Sequence, residues 1–151
     1  MNKNENISDF CVNDLHGYCK WDSCECKCHK RLILICGDRN WQNKDKIKEF
    51  LMELKLKCNN FKVINGACRG ADKMSSQVCK ELNIVCQEVP ANWATYGKVA
   101  GPRRNKMMLD LKPDLVIAFH NDIENSKGTK DCVREAKKRN IEVKLYGDSN
   151  E

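Results

Sequence analysis

Strand-length apolar runs that alternate with stretches of helical periodicity predict an α/β domain with a parallel sheet. Two further observations narrow it: the first run, 31–36, is continuously apolar after Arg31, as strands covered on both faces are, and the loops after the strands carry glycines and polar residues. In order, the run 31–36 (Arg-Leu-Ile-Leu-Ile-Cys) reads as a strand ended by Gly37, and 44–57 as a helix with apolar residues at Ile47, Phe50, Leu51 and Leu54. The unit then repeats. A strand is predicted at 61–64, a helix at 72–82, a strand at 84–89, a helix at 102–111, a strand at 114–119, a helix at 128–139 and a last strand at 141–146. Pro102 suits the first turn of its helix, and Met107 and Met108 follow helical spacing and are expected in the core. Right-handed crossovers between such strands give a Rossmann-like three-layer sheet of about five strands.

Length and charge bound the function. The 151 residues leave room for one ordinary domain, 31–147, with a small segment, 1–30, before it and a polar tail, 148–151, after it. The net charge of +6 is carried by lysines and arginines spread along helix faces and loops, which favours a solvated surface over a nucleic-acid stripe. An anionic small ligand suits that balance equally. No run reaches the roughly 18 apolar residues that a membrane span needs. The polar, acidic start 1–9 does not resemble a secretion signal, so a soluble cytoplasmic protein is expected, with no membrane partner.

Eleven cysteines fall into two sets. Cys36, Cys58, Cys68, Cys79, Cys86 and Cys132 are scattered through regular elements and read as small apolar core or turn residues. The rest are clustered. Cys11, Cys19, Cys24, Cys26 and Cys28, with His16 and His29, put seven soft or borderline ligands into a segment too short to own a core. Thiolates and imidazoles so spaced suit tetrahedral zinc, whose binding supplies of order 10 kcal/mol of folding free energy in small zinc peptides. The expectation is a small N-terminal knot held by structural zinc through Cys11, His16, Cys19 and Cys24, with Cys26, Cys28 or His29 contributing. Spacing leaves open which four serve, and whether one metal is held or two. The opposing reading is a redox-sensitive tail.

The loop after the second strand is the most informative. Asn65-Gly66-Ala67-Cys68-Arg69-Gly70-Ala71-Asp72 links a strand to a helix through two glycines, and so forms a cradle where backbone amides, the helix start and Arg69 can meet a phosphate. An ordinary turn with Asp72 complementing the helix dipole is the plainer reading. In an open parallel sheet, ligands gather beyond the carboxyl ends of the strands, so four loops are expected to share one crevice. They bring Gly37, Asp38 and Arg39; the cradle; Trp93, Tyr96, Lys98, Gly101, Arg103, Arg104 and Asn105; and His120 with Gly128 and Thr129. Arg103, Arg104 and Asn105 suit phosphate or ribose. Trp93 and Tyr96 either stack on a base or pack, Thr129 either donates to phosphate or caps its helix, and His120 is either a ligand contact or an idle strand-end residue.

These motifs, together with Pro90-Ala-Asn-Trp93, Tyr96-Gly-Lys98, Ala100-Gly-Pro-Arg-Arg-Asn105 and Lys127-Gly-Thr129, resemble the YspA/YpsA-related branch of the SLOG superfamily over 31–146. That branch carries patterns close to GGARGAD, PADW, YGKxAGPxRN and SxGT. The N-terminal Cys-x-Cys-x-Cys-His likewise resembles an extension found in some members. The resemblance implies a Rossmann-like domain that binds a nucleotide or nucleotide-derived ligand, as a sensor or a sequestering protein, and that pairs into homo-oligomers through helices. It implies as an alternative a phosphoribohydrolase similar to the LOG enzymes, which split the N-glycosidic bond of a nucleoside monophosphate.

For that alternative, Arg104 matches an arginine in an Arg-Lys-x-x-Met context and Asp131 stands where the LOG pattern has a catalytic glutamate. Asp131 or Asp72 would then face an oxocarbenium-like ribose, while Arg69, Arg103 and Arg104 held the phosphate. The chain departs from LOG at Asn105, at Asn-Ser-Lys before Gly128 and in the shorter acid; it departs from the YspA branch at Asn65, where that branch has glycine. A third reading makes the zinc knot a docking module for nucleic acid or protein.

Overall fold

The structure is a computed structural model and describes residues 31–57 and 60–148. Five parallel strands are ordered β3-β2-β1-β4-β5: β1 Arg31–Gly37, β2 Phe61–Asn65, β3 Val85–Glu88, β4 Leu115–Phe119 and β5 Glu142–Tyr146. Between them run α1 Lys44–Lys57, α2 Ala71–Glu81, the one-turn α3 Trp93–Tyr96, α4 Ala100–Asp110 and α5 Gly128–Lys138. The strand order is Rossmann-like. It reverses between β1 and β4, because the chain winds outward from β1 on one side and then crosses back to the other.

Side chains alternate across each strand, and the two core faces follow from that period. Ile33 and Ile35 of β1, Val63 of β2 and Ile117 and Phe119 of β4 pack against Ile47 and Leu51 of α1 and Val78 of α2. Leu34, Ile64, Val116 and Ala118 point the other way, onto Met108 and Leu109 of α4 and Cys132, Val133 and Ala136 of α5. Three layers result, with α1, α2, α4 and α5 each burying one stripe against the sheet.

The structure differs from the sequence expectations at four places. β3 and β5 are edge strands, so they are not covered on both faces; Val85 is 61% exposed. Met108 is buried, but Met107, one residue around the helix, is 60% exposed. Part of the expected loop after β3 is helical: Asn92 caps α3 by accepting the Thr95 amide at 3.1 Å, and Gly97 (φ 57) ends it. Among the scattered cysteines, Cys36, Cys79 and Cys132 are buried, Cys68 and Cys86 only half-buried. No helix among the described residues is long and apolar enough to cross a membrane. The zinc ligands expected at Cys11, His16, Cys19, Cys24, Cys26, Cys28 and His29, and the scattered Cys58, lie outside the described residues.

Candidate functional site

Asn65, the last residue of β2, starts the cradle. Its Oδ1 accepts the Ala67 amide at 2.8 Å, while Nδ2 donates to Ser75 Oγ at 3.0 Å and Ser76 Oγ at 2.8 Å on α2. This ties the turn to the helix that follows. The chain then passes through two left-handed residues, Ala67 (φ 61) and Gly70 (φ 82). Gly70, with ψ −129, occupies a conformation open in practice only to glycine, and it lets the Ala71 amide reach the Asp38 carbonyl at 3.1 Å. Asp38 is thereby a fastening between the first and second loops; its Oδ1 accepts the Asn40 amide at 2.9 Å.

The concave side of the turn holds a carboxylate of the chain itself. Asp72 Oδ2 accepts the amides of Gly66 at 3.1 Å and Cys68 at 3.2 Å, and the side chain is 5% exposed. These are two of the amides that the sequence offers to a phosphate. Burial pushes the Asp72 carboxyl up from 3.8 to about 6, against the Cys68 amide, the Arg104 charge and the Gly66 amide, which favour ionisation. Its other oxygen, Oδ1, is buried without a hydrogen-bond partner.

Arg104 of α4 closes the same turn from the other side. It is 7% exposed; Nη1 donates to the Gly66 carbonyl at 2.5 Å, Nε to Asn105 Oδ1 at 2.9 Å, and the guanidinium lies 3.8 and 3.9 Å from the Cys68 sulfur. Gly66 must be glycine here, because a Cβ would overlap that guanidinium. Asn105 carries the link onward, donating through Nδ2 to the Gly128 carbonyl and to Asp131 Oδ2, both at 3.2 Å. Asp131 is also paired with Arg134 at 2.6 Å.

Above the turn opens a cleft of about 390 Å³. Three arginines line it, Arg39 from the loop after β1, Arg69 from the cradle and Arg104 from α4. Gly66, Ala67 and Cys68 of the cradle line it with Pro90, Ala91 and the half-exposed Trp93. No carboxylate lines it. Pro90, Ala91 and the Cys68 thiol were not singled out from the sequence.

The remaining expected residues are nearby but turned to other work. Arg103 lies over the Tyr96 ring, 4.1 Å from its centroid, and neither lines the cleft. Lys98 is exposed and Gly101 lies under Trp93. The loop after β4 does not join the other three: Thr129 is buried, with Oγ1 donating to the Gly37 carbonyl at 3.0 Å and its amide donating to Ser126 Oγ at 3.1 Å. His120 Nδ1 accepts the Asp122 amide at 2.9 Å. A hydroxyl and an imidazole that close loops in this way hold the rim in shape.

No family model matches the chain. It is similar to the Gene 61 protein of Mycobacterium phage D29, with 32% identity over 124 residues, spanning 78% of this chain and 98% of the phage protein. The chain belongs to the Gene 61 protein family. The phage name carries no activity, so for this Gene 61 family member the chemistry has to be argued from the cleft.

Proposed function

We propose that the protein binds a nucleotide or a nucleotide-derived phosphorylated small molecule in the cleft, as a sensor or sequestering protein. One observation carries the reading: three arginines, a glycine-bearing turn and an indole line one cleft with no carboxylate in its lining. Arginine forks suit phosphate oxygens, Trp93 and Pro90 suit a base or sugar, and a volume of about 390 Å³ suits a ligand of that class. The resemblance of the five motifs to the SLOG superfamily points the same way.

The hydrolase reading ranks second. Arg104 and Asp131 are joined through Asn105, but Asp131 does not line the cleft and is paired with Arg134, so no acid in its lining is aimed at a glycosidic bond. Titration calorimetry with pyrophosphate, nucleoside monophosphates and diphosphates, followed by chromatography for released base, separates the readings. Saturable binding without base release supports the binder, base release supports the hydrolase, and absence of binding across the panel removes both. On spacing alone, the cysteines and histidines of 11–29 are proposed to hold structural zinc, which elemental analysis of the purified chain tests.

A further inference from the structure

Cys79 of α2 and Cys86 of β3 share one core cluster, Cys79 within it and Cys86 packed against it, and Ser76, one helical turn before Cys79, lies against the Cys86 sulfur. Cys79 is fully buried; Cys86 is half-buried on an edge strand, where solvent reaches it. The pair is pinned by the backbone, since the Ile84 amide donates to the Cys79 carbonyl at 2.8 Å and so folds the chain leaving α2 back against it. Around the Cys86 sulfur are Ser76 Oγ at 3.7 Å and Asn65 Nδ2 at 3.6 Å. Asn65 is the residue whose Oδ1 holds the Ala67 amide, so one side chain touches both the thiol pair and the cradle.

We infer that Cys79 and Cys86 form a modification site, a dithiol that a low-molecular-weight disulfide oxidises to an intramolecular disulfide, with the change transmitted to the cradle through Asn65. Cys86 is the attacking group. The neighbouring Cys79 thiol and the Ser76 hydroxyl favour its thiolate and lower its pKa to about 7 despite burial and the nearby carboxylates of Glu88 and Asp72. The Cys86 sulfur beside it and burial raise Cys79, which stays protonated until it is needed.

In the first step the Cys86 thiolate attacks one sulfur of the reagent, a mixed disulfide forms and one thiolate leaves. In the second, Cys79 gives its proton to that thiolate and attacks the Cys86 sulfur, so the protein disulfide forms and the other half of the reagent departs as a thiolate, which takes a proton from water. The dithiol loses two electrons and the reagent disulfide gains them. Closing the bond changes the contacts that Cys86 makes with Asn65 and Ser76. The grip on Ala67, held in a left-handed conformation, loosens with them.

A second pair supplies an internal control. Cys36 and Cys132 also share one core cluster, but both are buried in the opposite core face, out of reach of a solution reagent.

The full-length protein is incubated with oxidised glutathione, its free thiols are alkylated, and it is digested with trypsin. Cleavage after Lys73, Lys80 and Lys98 leaves Cys79 and Cys86 on separate peptides, 74–80 and 81–98, that only a disulfide can join. The joined pair is expected, with Cys36 and Cys132 unreacted; in Cys79→Ala a mixed disulfide is expected to persist on Cys86. If Cys79→Ala does not fold, Cys86→Ser is expected to give neither product. A wild-type protein in which Cys86 stays reduced, or stays a mixed disulfide, or in which Cys36 and Cys132 react as fast, overturns the assignment. Amide exchange at 66–68 is expected to rise at least threefold in the oxidised protein, and unchanged exchange alongside a formed cross-link overturns the transmission through Asn65. Neither readout depends on the cleft's ligand.

Discussion

Asp72 and Arg104 grip Gly66 from opposite sides, the carboxylate taking its amide at 3.1 Å and the guanidinium its carbonyl at 2.5 Å. The two charges attract across a single residue. A residue with a side chain at 66 would push them apart, since its Cβ would overlap the guanidinium and lie 2.9 Å from Asp72 Oδ2. Gly66→Ala is therefore expected to cost about 1–3 kcal/mol of stability in denaturant unfolding, the usual range for overpacking. It should also widen the cleft and weaken pyrophosphate binding. An alanine variant of wild-type stability and affinity would show that the grip is dispensable.

The buried Asp72 makes stability depend on pH with a definite sign. Its folded pKa, about 6, lies above the unfolded 3.8, so between these values the folded state holds the extra proton and stability falls as pH rises. The contribution is whole below about pH 4 and is lost by pH 7, a difference of roughly 3 kcal/mol for a shift of about two units. Asp72→Asn keeps an oxygen for the Gly66 and Cys68 amides and removes the titration. Unfolding curves from pH 4 to pH 7 should show the decline in the wild type and a flat profile for this group in the variant.

Arg69 and Arg104 both reach the cleft, yet they differ in what else they hold. Arg69 is exposed, whereas Arg104 supplies hydrogen bonds to the buried Gly66 carbonyl and Asn105. Arg104→Ala should lose about 3 kcal/mol of stability, because buried acceptors are left without donors. Arg69→Ala should stay within about 0.5 kcal/mol of wild type while losing about tenfold in pyrophosphate affinity. Thermal unfolding and calorimetry on the two variants make the test, and equal stability losses would contradict this division of labour.

How far the sequence reaches can be judged at individual residues. β1, β2 and β4 are legible because unbroken apolar runs such as Leu32–Ile35 have one structural use, and the cations Arg39, Arg69 and Arg104 are legible because strand ends and helix starts in a parallel sheet face one rim. What cannot be read is where a polar side chain spends its hydrogen bonds. Thr129 looks like a phosphate donor by position, but its hydroxyl goes to Gly37, a residue far away in the chain. Asp72 fills the turn that an anion would fill, a fact that depends on Gly66 and on Arg104 from a different crossover. The one-turn α3 is too short for periodicity to register, and Asn92 as its cap was the available signal.

Trp93 separates base recognition from phosphate recognition. Its indole is 49% exposed and lies over Gly101, where a Cβ would come within 3.2 Å of Cη2, so its rim is held while a face remains open to the cleft. Removing it exposes little new core, and Trp93→Ala should unfold within about 0.5 kcal/mol of wild type. Stacking on an aromatic side chain contributes about 1–3 kcal/mol per base, so the variant should bind a nucleoside diphosphate roughly ten- to hundredfold more weakly. Pyrophosphate, which has no base, should bind it as it binds the wild type. Equal losses for both ligands would mean that the indole supports the cleft's shape and does not touch a base.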